Sequence, residues 1–147
     1  MLDRTSRLYA VRFERVDVPV WHEDVAYLDV IDAATDELTG GIYLDLYPRD
    51  GKYKHAAAWP VRGGSLHGGR KPISTFVTNF DRKGLTHGEV ETLLHEFGHV
   101  LHGVLSATTY NQHSGTSVDR DFVEAPSQML EEWGCRVEGR RLMPEQC

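Results

Sequence analysis

The chain has almost no cysteine. Among its 147 residues only Cys135 and Cys147 are cysteines, and the second of these is the last residue. Two thiols do not supply the disulfide framework of a small secreted domain or a zinc cluster built from several cysteines. We therefore expect reduced thiols, as in a cytosolic protein, and a fold held by an ordinary apolar core.

Long apolar runs are also missing. No segment approaches the roughly 18 consecutive apolar residues of a membrane span. Residues 1–15 interrupt their apolar positions with Asp3, Arg4, Arg7 and Arg12, unlike the continuous apolar region of a signal peptide. The sequence thus predicts a cytoplasmic protein with no membrane partner.

Positive charge is in short supply as well. Lys and Arg number 16 against 22 Asp and Glu, which gives a formal net charge of -6. No nucleic-acid partner is expected, because such binding depends on Lys and Arg that neutralise phosphates. The ordinary balance of 40% hydrophobic and 26% charged residues, without repeats, predicts one domain spanning residues 1–147.

The first half of the chain has the pattern of β-strands. Segments 25–31 and 41–47 are rich in Val, Ile, Leu and Tyr, and the second alternates Ile and Leu with Tyr and Asp. They predict a hairpin with a longer loop at 32–41, in which Gly40 and Gly41 adopt backbone angles that other residues resist.

Two further extended segments are predicted at 55–59 and 73–80. The glycine-rich segment 61–71 between them has the composition of a mobile surface loop.

After Asp81 the apolar period becomes helical. Apolar residues recur at steps of three and four at Val90, Leu93, Leu94, Phe97, Val100, Leu101 and Val104. Thr86 is the predicted first residue, and Glu89 three positions later completes a capping box.

A second helix is predicted over residues 118–133. Its expected buried stripe consists of Phe122, Ala125, Met129, Leu130 and Trp133. Pro126 is expected to bend it, because proline removes one backbone hydrogen bond and crowds the preceding turn.

The first predicted helix contains His95-Glu96-Phe97-Gly98-His99, an H-E-x-x-H pattern. Residues four apart lie about 40° apart around a helix and about 6 Å along it, so His95 and His99 can converge on one ion. Glu96 flanks the pair and is better placed for a water on the metal than for the metal itself. An ordinary amphipathic helix with two solvated or core histidines is the alternative, and the separate apolar stripe argues against it.

A catalytic zinc site takes a third protein ligand. A histidine six residues after His99 would complete a metzincin pattern, but that position is Leu105. His102 shares the face of the histidine pair but draws away from the ion along a straight helix, so we interpret it as a packing or supporting residue. His113, in the loop after the helix, stays open. The best candidate is Glu124 on the following helix, which makes a two-His-one-Glu set.

The expected chemistry is metal-assisted hydrolysis. Zinc lowers the pKa of its water toward about 7, Glu96 takes the proton, and the hydroxide attacks a peptide carbonyl. Glu96 then delivers the proton to the leaving amine. Ligating histidines usually donate their second ring N–H to an acceptor. Asp121, one turn before Glu124, and Glu91, one turn before His95, are the candidates, and either is otherwise an exposed helix charge.

Several longer stretches carry a family resemblance. They are residues 43–52 with 55–57, 91–102, 114–116 and 121–133. They closely resemble the thimet oligopeptidase and oligopeptidase A family of zinc peptidases, over most of residues 15–133. Position by position, the resemblance implies zinc ligands at His95, His99 and Glu124 and the catalytic glutamate at Glu96.

The resemblance also implies cleavage of short peptides inside a deep channel that excludes folded proteins. Family members are several-fold longer, with earlier helices that wall the channel and a later portion whose tyrosines and histidine bind substrate and stabilise the oxyanion. Those parts have no counterpart here, and residues 134–147 form a basic tail unlike the family's continuation. His113 and Tyr110 are the nearest substitutes for such a donor.

These patterns together predict an α+β fold, a small zincin-like domain. It comprises an N-terminal mixed β-sheet in residues 15–80, a helical zinc-binding part in 86–133 with the H-E-x-x-H helix and a second ligand-bearing helix, and an atypical tail in 134–147. The predicted function is a zinc metalloendopeptidase of the oligopeptidase type, with one Zn²⁺ per chain and a peptide substrate, which strand addition near 55–59 would hold.

The alternatives are a zinc-binding but catalytically weak or inactive peptide-binding module, a fragment of a larger oligopeptidase, and a chain that binds no metal. The sequence leaves the oligomeric state open.

Overall fold

The computed structural model describes residues 1–135. The helices are α1 (Leu2–Tyr9), α2 (His87–Val104) and α3 (Ala125–Cys135), and the strands are β1 (Val11–Val16), β2 (Ala26–Asp32), β3 (Leu38–Asp45), β4 (Ala57–Arg62) and β5 (Ile73–Val77). None of the helices in this part of the chain combines the length and apolar character needed to cross a membrane. The predictions for Cys147 and most of the tail fall outside the described residues.

The five strands form one sheet in the order β1-β2-β3-β5-β4. β3 and β5 run parallel and the other neighbours run antiparallel, so the sheet is mixed. This confirms the predicted α+β class and the mixed sheet. The order also leaves β4 at one edge, with β1 at the other.

The predicted hairpin is formed by β2 and β3, but its two glycines act differently from the prediction. The turn lies at 33–37, where Asp36 has a φ of 61°, and both glycines lie inside β3. A Cβ on Gly41 would lie 1.9 Å from Tyr27 Oη, and one on Gly40 would lie 2.8 Å from the Pro72 carbonyl oxygen. Close approach therefore requires these glycines, and the turn-angle prediction was wrong.

The boundaries of the last two strands also shift. β4 begins two residues later than the predicted 55–59 segment and runs on to Arg62, and β5 stops at Val77 rather than at residue 80. The glycine-rich segment between them is attached to the chain that follows α2. The backbone N–H of Leu66 donates to the Thr108 carbonyl, and that of His67 donates to the Thr109 carbonyl. Composition alone had predicted a mobile loop there.

The N-terminal elements α1 and β1 were missed by the sequence prediction, which placed the first strands after residue 15. β1 pairs with β2 along its whole length. Only Val11 is buried in this strand, and charged residues occupy most of the other positions. An edge strand of this kind has little of the alternation by which strands are recognised.

The core lies between one face of the sheet and α2. The Phe97 ring lies 5.8 Å from the Phe76 ring of β5 and 6.1 Å from the Phe13 ring of β1. The buried core residues are Val11, Val30, Ile42, Phe76, Phe97, Val100, Leu101, Val104 and Leu130. The apolar stripe predicted for the first helix therefore does face the core, which leaves an adjacent side of α2 for other contacts.

The second helix is shorter than predicted. α3 begins at Ala125, so Pro126 lies in its first turn, where no backbone hydrogen bond is lost and no bend is needed. Of the expected buried stripe Leu130 is only 2% exposed, whereas Phe122 and Met129 are 55% exposed and Trp133 is 40% exposed. Residues 118–124 form turns instead of helix.

A buried carboxylate closes the end of β3. Asp45, whose side chain is 4% exposed, accepts hydrogen bonds from Arg49 at 2.6 and 2.8 Å and from Trp21 Nε1 at 3.0 Å, and pairs with Lys52 Nζ at 2.9 Å. Burial raises the pKa of Asp45, but the hydrogen bonds from Arg49, Lys52 and Trp21 outweigh it and hold the pKa well below the usual range. Lys52 Nζ also donates to the carbonyls of Asp45, Tyr47 and Thr78, which joins the ends of β3 and β5.

Candidate metal centre

The helix that carries the H-E-x-x-H segment begins with the predicted capping box. The Glu89 carboxylate accepts from the Thr86 backbone N–H at 2.7 Å, and the Thr86 hydroxyl accepts from the Glu89 N–H at 3.3 Å. These bonds satisfy two amide groups that the helix start leaves free. The capping box thereby defines where α2 begins. The first residue in turn determines the direction in which each later side chain leaves the helix axis.

His95 and His99 project from one side of α2. Their ring centroids are 5.1 Å apart and the rings stand nearly perpendicular, at 82°. Glu124, directly before α3, reaches the same point, with its Oε2 3.3 Å from His95 Nε2 and 3.1 Å from His99 Nε2. One ligand atom from each of the three residues lies within 4.8 Å of the other two. The structure thus brings together the three residues predicted as ligands, and within the described residues no other such group is found.

A close contact between α2 and α3 brings Glu124 to the histidines. A Cβ on Gly98 would lie 2.5 Å from Ser127 Cα and 2.8 Å from the Pro126 carbonyl oxygen. Only a residue without a side chain allows the two backbones to come so near. Gly98, between the two histidines in sequence, therefore determines how close α3 can lie to α2.

Ser127 fixes the Glu124 carboxylate. Its side chain is fully buried, and its hydroxyl lies 2.9 Å from Glu124 Oε2 and 2.8 Å from the Glu124 carbonyl oxygen. This hydrogen bond lowers the pKa of Glu124, and the charges of His99 and His95 lower it further against the opposing effect of burial. The carboxylate is accordingly held in the ionised form that binds a cation.

The carboxylate next to His95 Nδ1, the ring nitrogen that faces away from Glu124, belongs to neither Asp121 nor Glu91, the two predicted acceptors. His95 Nδ1 lies 2.9 Å from Glu131 Oε2, whereas Glu91 pairs with His87 Nε2 at 3.1 Å. Asp121 lies in the turns before α3 and does not take this role. A signal for Glu131 was present, because seven residues are almost two helical turns and so place it above Glu124 on one face.

The other sequence candidates lie around the cluster rather than in it. His102 is half-buried with its ring 6.2 Å from Phe122, and burial, with a smaller effect of His99, lowers its pKa. His113 is exposed in the 3₁₀ helix Asn111–His113, and Tyr110 is 55% exposed with its ring 6.0 Å from His67. Glu96 is partly exposed on α2 beside the ligand pair.

Two of the three distances between the donor atoms can be compared with those of a zinc site. Zinc bonds to His nitrogen and carboxylate oxygen are about 2.0–2.2 Å long, so the edges of a tetrahedral site measure roughly 3.3–3.5 Å. The distances of 3.1 and 3.3 Å from Glu124 Oε2 to the two Nε2 atoms are close to such edges. Two imidazoles and one carboxylate also form a donor set that suits zinc and leaves a fourth position.

A cleft of about 270 Å³ opens beside this cluster. Its walls are the edge strand β4, the His99 and Gly103 side of α2, and the segment from Ser114 to Ser117. The Ser114 hydroxyl accepts from the Gly64 backbone N–H at 2.9 Å, which joins two of these walls. The cleft is therefore lined both by an edge strand and by one of the predicted ligands, His99.

Comparison with known proteins identifies relatives over nearly the whole chain. The sequence profile described as Peptidase family M3 matches residues 1–144. The thimet-like oligopeptidase of Dictyostelium discoideum is 46% identical over 139 residues, which cover 87% of this chain and 21% of that protein. Oligopeptidase A of Escherichia coli is 39% identical and saccharolysin of Saccharomyces cerevisiae 35% identical, each match covering 90% of this chain and 21% of the relative. The chain spans about a fifth of the length of these relatives.

Proposed function

Because the chain belongs to peptidase family M3, we propose that it is a zinc-dependent metallopeptidase that hydrolyses peptide bonds in short peptides. The observation that carries this proposal is the convergence of His95 Nε2, His99 Nε2 and Glu124 Oε2. The proposal covers the zincin-like catalytic centre, the oligopeptidase type of activity and the cytoplasmic location expected from the sequence.

In this proposal His95, His99 and Glu124 hold one zinc ion. The chemistry that zinc supplies when bound is polarisation of a peptide carbonyl and a lower pKa, near 7, for a water. Ser127 keeps the Glu124 carboxylate ionised and oriented through its hydroxyl.

Glu96 is the proposed general base. It follows His95 on α2, which places it around the helix from the ligand pair at an angle suited to water rather than to the ion. Its carboxylate oxygen accepts the proton of the attacking water and afterwards returns it to the leaving amine. Glu96 is partly exposed, so water and substrate reach it.

The edge strand β4 gives a peptide a place to bind. Among the described residues β4 pairs only with β5, so in this proposal an extended peptide pairs with the backbone groups along its other side. The cleft beside β4 includes His99. A peptide that extends the sheet there would pass the metal ligands with its backbone in a defined orientation.

Replacement of Glu96 tests the proposal. Glu96→Gln should bind zinc as the wild type does and lose turnover of a quenched fluorescent peptide by at least about 10²-fold, since the proton acceptor is gone. Zinc content measured by metal analysis serves as the control for an intact site. Equal rates for the wild type and the variant would show that the proposed mechanism is wrong, and a wild-type chain without zinc would show that the metal site is wrong.

A peptide-capturing module without turnover is the second candidate. The observation that favours it is the cleft beside the edge strand β4, which offers a binding place for an extended peptide whether or not Glu96 takes a proton. Such a module would bind zinc, and Glu96→Gln would bind it as tightly as the wild type. The two chains would also bind an extended peptide equally tightly, and neither chain would release products. Isothermal titration with the quenched peptide, followed by product analysis, separates the two candidates.

A further inference from the structure

One face of α3 presents two carboxylates to α2. Glu124 stands directly before the helix and Glu131 stands seven residues later, close to two full turns. Glu124 Oε2 approaches Nε2 of His95, and Glu131 Oε2 approaches Nδ1 of the same ring. The His95 imidazole is therefore contacted at both nitrogens by carboxylates, one from α3 and one from the residue directly before it.

The two histidines of the cluster differ in this respect. His99 Nδ1 is buried and has no hydrogen-bond partner in the described structure. His95 Nδ1 lies 2.9 Å from Glu131, and both side chains are only partly exposed, at 28% and 38%. Among the described residues, Nδ1 of His95 thus has a carboxylate partner and Nδ1 of His99 has none. His95 is therefore the histidine whose orientation depends on α3.

We propose that Glu131 is a positioning residue for the metal centre. It holds His95 in the tautomer that carries its proton on Nδ1, so that the Nε2 lone pair faces the point shared with His99 and Glu124. The inference rests on the proposed zinc site, and it adds a role for a residue outside the ligand set.

The physical basis is the freedom of an imidazole ring. Neutral histidine carries its proton on either nitrogen, and only the Nδ1–H form leaves Nε2 free to bind a metal. A carboxylate that accepts the Nδ1–H favours this form, limits rotation of the ring and makes the other nitrogen a stronger ligand. Because Glu124 directly precedes the helix that carries Glu131, the packing of α3 against α2 positions both carboxylates.

Three variants test the role. Glu131→Ala removes the acceptor, Glu131→Gln keeps a carbonyl oxygen that still accepts a hydrogen bond, and Glu132→Gln makes the same charge change one residue away. We expect the zinc dissociation constant, measured by chelator competition, to rise about 10- to 100-fold for Glu131→Ala. Glu131→Gln should recover part of this loss, and Glu132→Gln should match the wild type.

Nitrogen-15 spectra of the zinc-loaded chain give a second readout. In the wild type, His95 should show a slowly exchanging proton on Nδ1 and metal coordination through Nε2, and Glu131→Ala should lose that proton signal. A role in packing alone would weaken zinc binding in Glu131→Ala without changing the Nδ1 proton signal of His95, and this result would overturn the proposal. Unchanged zinc affinity in Glu131→Ala would overturn it as well.

The outcome for the wild type keeps the two proposals apart. A wild-type chain that binds no zinc contradicts the proposed metal centre, and with it the role of Glu131. A wild-type chain that binds zinc, together with a Glu131→Ala variant of equal affinity and equal far-ultraviolet circular dichroism, contradicts the role of Glu131 alone.

Discussion

A single buried residue, Asp45, shows how charge is accommodated in this sheet. Its carboxylate is 4% exposed, and removing a carboxylate from water is costly unless partners replace the solvent. Arg49, Lys52 and Trp21 are those partners. The acidic group therefore stabilises the end of β3 only while it is ionised.

Asp45→Asn should destabilise the chain by about 3–5 kcal/mol at pH 7, because it leaves the buried Lys52 without its anionic partner. The folded-state pKa of Asp45 is lowered, so its stabilising effect is present above the unfolded-state pKa of about 3.9 and is lost as the pH falls toward the folded-state pKa. The difference between the wild type and the variant should thus shrink from pH 7 to pH 3.

Urea unfolding at several pH values measures this difference. Asp50→Asn, at an exposed position in the following loop, is the matched control and should change stability by less than about 0.5 kcal/mol. A difference for Asp45→Asn that stays constant down to pH 3 would contradict the assigned ionisation.

The residues around the metal centre differ in how far the sequence reveals them. The pairing of His95 with His99 follows from helix geometry alone, and the choice of Glu124 follows from the donor sets that zinc accepts. Their convergence is now seen, whereas their binding of zinc stays a prediction. The spacing of seven residues places Glu131 near Glu124 along one helix face, but its contact with His95 depends on how α3 packs against α2, which the sequence prediction did not include.

At the scale of helices, the contact between α2 and α3 decides whether the ligands meet. Gly98→Ala should improve the helix propensity of α2 by up to about 1 kcal/mol, but its Cβ would lie 2.5 Å from Ser127 Cα. Backbone cannot yield as a flexible side chain does, so α3 must move away and carry Glu124 with it. We expect a net loss of about 1–3 kcal/mol in stability and weaker zinc binding.

Gly88→Ala is the matched control on the same helix. Nothing lies within 4 Å of a Cβ at Gly88, so this variant should keep its zinc affinity and be as stable as the wild type or slightly more so. Thermal unfolding and chelator competition measure both quantities. Zinc affinity equal in Gly98→Ala and Gly88→Ala would show that the close approach of the helices is not needed.

The elements were predicted unevenly for physical reasons. α2 has a capping box, a long apolar period and a clear start, so local sequence determines it. The start of α3 was placed too early because Phe122 continues the apolar period of the helix although it lies in a turn. Periodicity also cannot tell which partner a stripe faces, and so Met129 and Trp133 were expected to be buried but are exposed.

For the whole molecule, the strand order could not be read from the sequence. β3 pairs in parallel with β5, and β4 is then added outside β5, although β4 precedes it in the chain. Such a crossover depends on contacts distant in sequence, which local patterns do not report. Among the described residues this order leaves β4 at the edge of the sheet beside the cleft, where the proposed function places the peptide.

The proposed metal centre joins two helices, so zinc should stabilise the folded chain as a whole. His95 and His99 lie on α2, and Glu124 lies at the start of α3. A ligand that binds only the folded state at a free concentration of 100 times its dissociation constant adds about 2.7 kcal/mol. For a chain of this length, that should raise the midpoint of thermal unfolding by about 5–10 °C.

Calorimetry with buffered free zinc, and again after removal by chelator, measures this shift. Glu96→Gln should show the full shift because the proposed general base is not one of the proposed ligands, whereas His99→Ala should lose most of it because it removes one proposed donor. A shift of equal size in His99→Ala would mean that zinc stabilises the chain from some other site. The comparison thus tests the ligand set through the stability of the whole fold, independently of peptide hydrolysis.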